Sequence, residues 1–119
     1  MQKFPKNWDK ITCINFLQRK IILNAIAYYD YNKSFLTDSY FDSLCRQLVQ
    51  MQMNYTGDIK ADTEYGYMMY DFGASTAFDL SSRLNRKDKA YLIQITEYYI
   101  HNHEKSIKKT TKIERRKLF

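Results

Sequence analysis

The sequence predicts a mainly α protein, built as a small bundle of four to five helices. Apolar side chains recur three and four residues apart over long stretches, as they do on the buried face of a helix. Only three glycines and one proline occur among 119 residues, which leaves few positions for the tight turns of a multi-stranded sheet. A hydrophobic share of 45% and an aromatic share of 16% suit a folded chain with one modest core.

The first helix is predicted from about residue 9 to residue 31. Asn7 or Asp9 can cap its start, because short polar side chains accept a hydrogen bond from the first free backbone N–H groups. Its apolar stripe follows a helical spacing and consists of Ile14, Leu17, Ile21 and Tyr28.

The second helix is predicted after the link NKSFL, from a cap at Thr37 or Asp38 to about Met53. One face of this helix carries Phe41, Leu44, Leu48 and Met51. Such a face needs an apolar partner, and the short link favours antiparallel packing against the first helix.

The middle of the chain is less regular. Residues 54–62 are polar and contain Gly57, so they are predicted as a loop. Residues 63–72 fit either a short strand, from the alternation of their aromatic side chains, or a helix. Gly73 is expected to end this element in either case.

Two further helices complete the predicted bundle. A short one is expected from Ser75 to Leu84. Asn85 is the natural cap of a last long helix from Arg86. The inward side chains of this last helix are predicted to be Leu92, Ile95 and Tyr99.

We expect residues 1–103 to form one helical domain and residues 104–119 to form a basic tail or an extension of the last helix. The tail holds seven Lys and Arg against two Glu, whereas residues 1–103 hold twelve against eleven. Most of the net charge of +6 therefore lies in the tail. Candidate contacts to a nucleic-acid backbone or a partner are Lys105, Lys108, Lys109, Lys112, Arg115, Arg116 and Lys117, with a solubilising end as the alternative.

Residues 28–48, YYDYNKSFLTDSYFDSLCRQL, resemble the segment YYxxDxPxxSDxEYDxLxREL of bacterial NAD-dependent DNA ligases without a gap. The matching residues are Tyr28, Tyr29, Asp38, Asp42, Leu44, Arg46 and Leu48, with Leu36 and Phe41 as near matches. Asn32, Ser34 and Phe41 depart from the ligase pattern, where an aspartate, a proline and a tyrosine stand. The helical pair of residues 14–53 is the part that the resemblance covers.

The resemblance implies a recognition module for the nicotinamide mononucleotide (NMN) half of NAD. In that family the residues that match Tyr28, Asp38 and Asp42 hold the nucleotide, by stacking of the aromatic ring and by hydrogen bonds to the carboxylates. Tyr29 is adjacent and is included as a candidate ligand-binding residue. A flat aromatic ring beside fixed acceptors is chemically suited to a cationic nicotinamide ring. NMN or NAD is therefore a candidate ligand. We expect no resident cofactor.

A dense aromatic cluster follows the polar middle segment. Core packing is the ordinary explanation for such a cluster. Tyrosine is also enriched in the hot spots of protein interfaces. Candidate partner contacts are therefore Tyr65, Tyr67 and Tyr70.

The sequence predicts no enzyme and no metal site. Lys60-Ala61-Asp62-Thr63 lacks the glycine of the ligase adenylation motif, and no glycine-rich phosphate loop occurs. His101 and His103 are two residues apart on a predicted helix, so they point to nearly opposite sides and cannot easily share a metal ion. Cys13 and Cys45 lack CxxC spacing and are interpreted as reduced thiols.

We expect the protein in the cytoplasm of a bacterial host cell, without a membrane partner. The first ten residues lack the apolar run of a signal peptide, and the apolar stretch of residues 21–29 is too short to span a bilayer.

The ligase-like module, the chain length and the Lys-, Asn-, Tyr- and Ile-rich composition resemble small ligase-related proteins of bacteriophages. This resemblance implies a non-catalytic accessory protein of a phage or mobile element. Its expected partner is a host protein or ribonucleoprotein, such as a CRISPR-Cas effector, which it would inhibit as an anti-CRISPR protein. Two alternatives stay open, namely an NMN or NAD sensor or sequestering protein and a small DNA-binding accessory protein.

Overall fold

The computed structural model describes residues 2–73 and 77–117, with residues 105–117 described by their backbone alone. These ranges contain six α-helices and no strand, which confirms the mainly α prediction. Three of the helices are single turns of four residues, so their number exceeds the four to five predicted. The helices are α1 (Lys10–Tyr31), α2 (Asp38–Asn54), α3 (Ile59–Asp62), α4 (Gly66–Met69), α5 (Leu80–Arg83) and α6 (Arg86–Lys117).

Both long front helices begin at the predicted caps. The Asp9 carboxylate accepts a hydrogen bond from the backbone N–H of Thr12 at 2.8 Å. The Thr37 hydroxyl oxygen accepts one from the backbone N–H of Tyr40 at 3.1 Å. Each bond satisfies one of the N–H groups that a helix start leaves without a partner. α1 ends at Tyr31, and the following residue, Asn32, has a left-handed backbone (φ 54°) that asparagine tolerates better than most residues.

α1 and α2 pack antiparallel, as predicted. The amide nitrogen of Gln18 donates to the amide oxygen of Gln52 at 2.9 Å, which joins the first half of α1 to the end of α2. At the opposite end of the pair, Tyr28 and Asp38 line one cavity. Side chains that are 0% exposed fill the core of this pair and include Leu17, Ile21, Ile22, Ile26, Leu44 and Leu48. Each such side chain contributes roughly 1.5–3 kcal/mol through removal of its apolar surface from water.

The segment between α2 and α5 differs from the prediction. Residues 54–62 are not entirely a loop, because Asp58 caps the single turn α3 by accepting a hydrogen bond from the Lys60 N–H at 3.0 Å. Of the ambiguous residues 63–72, only Gly66–Met69 are helical, as α4, which ends at Met69 and not at the predicted Gly73. A Cβ atom at Gly66 would overlap the backbone of Ile59, so the close approach of α3 and α4 requires glycine there.

The last two helices follow a 3₁₀ turn at Ala77–Asp79. The helix predicted from Ser75 falls partly outside the described residues, and its described part is this turn followed by α5. α6 begins after the predicted cap, since the side-chain oxygen of Asn85 accepts a hydrogen bond from the Asp88 N–H at 2.8 Å.

The inward face of α6 agrees with the prediction only at its start. Leu92 is buried and Ile95 packs against the core. Tyr99 is 56% exposed, so its prediction as an inward residue is wrong. The reason is that α1 and α6 leave a cavity between them at Tyr99 instead of a packed core. Within the described ranges, no helix combines the length and the apolar character needed to cross a bilayer.

Candidate functional site

A cavity of about 310 Å³ lies where the end of α1 meets the start of α2. We call it the acidic cavity. The four candidate ligand-binding residues, Tyr28, Tyr29, Asp38 and Asp42, all line it, so the fold brings them together. The lining consists of Asn24, Ala25, Tyr28, Tyr29, Ser34, Phe35, Leu36, Asp38, Phe41, Asp42 and Ala77.

The antiparallel pair explains why these side chains meet. Tyr28 and Tyr29 stand in the last turn of α1, and their rings form an edge-to-face contact with centroids 4.9 Å apart. Asp38 and Asp42 are four residues apart in the first turns of α2, so they share one helix face. Both tyrosines are about half exposed, which leaves their rings available to a ligand.

The acidic cavity carries two carboxylates and no basic side chain among its described lining residues. In the described part of the chain, neither Asp38 nor Asp42 forms a salt bridge or a side-chain hydrogen bond. Asp38 lies in the first turn of α2, where the positive end of the helix dipole stabilises a carboxylate. The cavity therefore favours a positively charged ligand.

The buried Cys45 thiol lies close enough to the acidic cavity to be affected by its charge. Burial raises the pKa of Cys45 to about 11, and the negative charge of Asp42 contributes in the same direction. Arg46 opposes this shift to a smaller extent. A neutral thiol is a poor nucleophile, so the geometry gives Cys45 no role as a reactive group.

The three tyrosines predicted as partner contacts occupy different environments. Tyr65 is 1% exposed and belongs to the core, which does not fit a contact surface. Tyr67 is 38% exposed, and its hydroxyl donates to Asp88 at 2.7 Å and accepts from the Asn85 N–H at 3.1 Å. Tyr70 is 46% exposed, with the Lys60 ammonium 3.9 Å from its ring centre.

The seven basic residues predicted as nucleic-acid or partner contacts lie on the last part of α6. The backbone of α6 continues as a helix to Lys117, but their side chains lie outside the described residues. The predicted contacts are Lys105, Lys108, Lys109, Lys112, Arg115, Arg116 and Lys117.

Among the described residues, no group of three or more His, Cys, Asp and Glu side chains is placed to hold a metal ion. His103 instead packs edge-to-face against Phe35, with ring centroids 5.1 Å apart.

A larger cavity of about 710 Å³ lies between α1 and α6, and the sequence analysis did not predict it. We call it the basic cleft. Its α1 wall follows a helical spacing from Phe16 to Asn24, which is visible in the sequence. Its α6 wall could not be assigned without the fold. The lining consists of Phe16, Arg19, Lys20, Leu23, Asn24, Phe35, Leu36, Thr96, Tyr99, Asn102 and His103.

Comparison of the chain with protein families, with curated proteins and with solved structures finds no match. The likeness of residues 28–48 to NAD-dependent DNA ligases therefore stays a hypothesis.

Proposed function

We propose that this chain is a non-catalytic binding protein whose acidic cavity holds a cationic N-substituted nicotinamide of the NMN class. The observation that carries the proposal is the convergence of Tyr28, Tyr29, Asp38 and Asp42 on one cavity. Aromatic rings and carboxylates without a salt-bridge partner in the described chain both attract a flat cation. The volume of about 310 Å³ is at the lower end of the range for ligand pockets, which suits the nicotinamide and ribose parts of a nucleotide.

The charge of the cavity makes the proposal more specific. The described lining offers no lysine, arginine or histidine to a phosphate. The phosphate of NMN would therefore project into solvent while the pyridinium ring lies beside the carboxylates. Consequently, nicotinamide riboside, which carries the same cation without the phosphate, should bind at least as tightly as NMN. Uncharged nicotinamide should bind more weakly than either.

Isothermal titration calorimetry with these three compounds tests the proposal. We expect the double variant Asp38→Asn/Asp42→Asn to lose about tenfold or more in affinity for nicotinamide riboside, because each carboxylate supplies a charge-assisted contact. Asp30→Asn is the matched control, since Asp30 is exposed on α1 and outside the cavity lining. Circular dichroism verifies that the variants fold. Equal affinity in the double variant, or no heat at millimolar ligand, would refute nicotinamide binding.

A second candidate function is the binding of a macromolecular partner, as in a phage accessory protein that occupies a CRISPR nuclease or a similar host machine. Exposed aromatic side chains on the segment from α4 to α5 favour it. Tyr70 is 46% exposed and Phe78 is 65% exposed. Large aromatic side chains on a surface are typical anchors of protein interfaces.

Capture from a bacterial lysate on the immobilised protein tests this second function. Reproducible recovery of a nuclease effector that Tyr70→Ala/Phe78→Ala removes would support it. Tyr98→Ala serves as the control, because Tyr98 is 66% exposed on α6, far along the chain from this segment. Retardation of duplex DNA at low salt that disappears on deletion of residues 104–119 would instead indicate a DNA-binding accessory protein.

A further inference from the structure

The basic cleft is the larger of the two cavities, and the functions proposed above do not use it. It lies between α1 and α6, and Phe35 and Leu36 of the link after α1 close one end. At that end the Phe35 ring packs against His103. At the other end, the Arg19 guanidinium donates to the Tyr91 hydroxyl at 3.0 Å and spans the two helices. The cleft therefore extends from the Arg19 end to the Phe35 end, and aromatic rings line both ends, since the Lys20 ammonium lies 5.5 Å from the centre of the Phe16 ring.

The charge of the cleft is opposite to that of the acidic cavity. None of its described lining residues is acidic, whereas Arg19 and Lys20 are both basic. Within the described chain, neither of these two cations has a carboxylate at salt-bridge distance. Lys20 donates to the Gln2 side-chain oxygen at 2.8 Å, and Arg19 donates to Tyr91. Both partners are neutral.

These two cations retain donors for a ligand. A guanidinium has five N–H groups and an ammonium has three. Each cation uses one N–H group for its bond to a neutral acceptor, so most of its N–H donors remain for a ligand. Hydrogen bonds from a charged donor to a carboxylate are among the strongest in proteins. The remainder of the cleft wall is largely apolar, with Phe16, Leu23, Leu36 and Tyr99 along its length. Such a wall favours methylene groups or an aromatic body over water.

We infer that the basic cleft binds an elongated amphipathic monocarboxylate. Its carboxylate would lie beside Arg19 and Lys20, and its apolar body would extend toward Phe35. The volume of about 710 Å³ falls within the range of sites that bury small organic ligands. Charge complementarity selects this occupant over a cationic or neutral amphiphile of the same length.

Laurate is a suitable probe, and dodecyltrimethylammonium has the same chain length with the opposite head-group charge. Both are used below the concentrations at which they form micelles. The chain contains one tryptophan, and Trp8 packs against Phe16 with ring centroids 5.7 Å apart. Because Phe16 lines the cleft, Trp8 fluorescence reports occupancy and calorimetry gives the affinity. We expect laurate to bind at least tenfold more tightly than the cationic probe.

Two variants test the site itself. Arg19→Gln/Lys20→Gln should weaken laurate binding at least tenfold, whereas the control Lys87→Gln/Lys89→Gln removes two exposed cations of α6 and should leave it unchanged. Leu23→Trp should fill the cleft and abolish binding. Asp38→Asn/Asp42→Asn should not weaken laurate binding, which separates this site from the acidic cavity.

Three results would overturn the inference. One is equal affinity for the two probes, which indicates general hydrophobic binding. Another is unchanged laurate affinity in Arg19→Gln/Lys20→Gln. The third is a dimer in sedimentation velocity that does not bind laurate, since a second copy of the chain would then cover the cleft.

Discussion

The acidic cavity and the basic cleft have common walls but opposite charges. Asn24, Phe35 and Leu36 line both, so the link after α1 separates the two. On one side of it lie Asp38 and Asp42, and on the other side the α1 wall carries Arg19 and Lys20. The acidic cavity depends on α1 and α2, which are neighbours in sequence. The basic cleft depends on α6, and its cross-helix bond joins residues 72 apart.

This difference shows that α1 presents two faces to two different partners. Tyr28 and Tyr29 near its end line the acidic cavity with α2, whereas Phe16, Arg19, Lys20 and Leu23 line the basic cleft with α6. Because the charges of the two cavities are opposite, each cavity favours a class of ligand that the other disfavours.

The largest expected effect comes from Ile26→Ala, in the part of α1 that supports both cavities. Ile26 is 0% exposed, so its truncation leaves a cavity in the core and should lower the free energy of unfolding by about 2–5 kcal/mol. Urea denaturation followed by circular dichroism measures this loss.

The control for this variant is Arg46→Ala on the exposed side of α2, which should change the free energy of unfolding by no more than about 0.5 kcal/mol. Ile26→Ala should also lower the urea concentration at which the unfolding protein releases each of the two ligands. Loss of only one ligand would show that the cavities do not depend on a common core.

A crossed titration should give the next largest effect, about tenfold in each direction. Asp38→Asn/Asp42→Asn should weaken the binding of nicotinamide riboside and leave the binding of laurate unchanged. Arg19→Gln/Lys20→Gln should weaken the binding of laurate and leave that of nicotinamide riboside unchanged. The reason is that each pair supplies the charge to one cavity only. Calorimetry on the two variants with both ligands measures it. If either variant weakened both ligands equally, the two cavities would not be separate sites.

A smaller effect is expected from Thr37→Ala at the cap of α2. Loss of the bond to the Tyr40 N–H should lower the free energy of unfolding by about 1 kcal/mol. Because Asp38 follows this cap directly, fraying of α2 should weaken the binding of nicotinamide riboside more than the binding of laurate. Thr37→Ser keeps the hydroxyl and should retain both the stability and the affinity for nicotinamide riboside. Equal stability of the alanine and serine variants would exclude a capping role.

The smallest effect concerns the pKa of Cys45, which is raised to about 11 by burial and then by Asp42. Asp42→Asn should lower this pKa but leave it above the ordinary value of 9.0, because burial is the larger cause. NMR of the labelled Cys45 Cβ across pH 8–12 measures the titration. Asp38→Asn is the control, since Asp38 is not among the causes of the shift. An unchanged pKa in Asp42→Asn would place Asp42 farther from the thiol.

The same shift has a consequence for stability. Below pH 9 the thiol holds its proton in both the folded and the unfolded chain, so its contribution to stability is complete. Between pH 9 and about 11 the unfolded chain releases the proton first, so this contribution is lost as pH rises. The free energy of unfolding should therefore decrease over this window, and less steeply in Cys45→Ala.

The amino-acid order by itself determined the helical class and the ends of α1 and α2, and its resemblance to the ligase segment implied four residues of the acidic cavity. The helical class and the helix ends depend on short-range physics, because caps, apolar spacing and an antiparallel pair involve residues that are close in sequence. Asp9, Thr37 and Asn85 all act as the predicted caps. The single turns α3 and α4 were less predictable, since propensity is weak over four residues.

Tertiary structure alone decided which aromatic side chains are available and where the basic cleft lies. Tyr65 and Tyr67 are two residues apart, yet the backbone N–H of Tyr65 bonds to the buried Gln18 side chain and only the Tyr67 ring reaches the surface. Tyr99 has the spacing of a core residue but faces the cleft. The physical reason is that burial depends on which distant segment packs against a side chain, and helical spacing indicates a shared face without indicating what covers it.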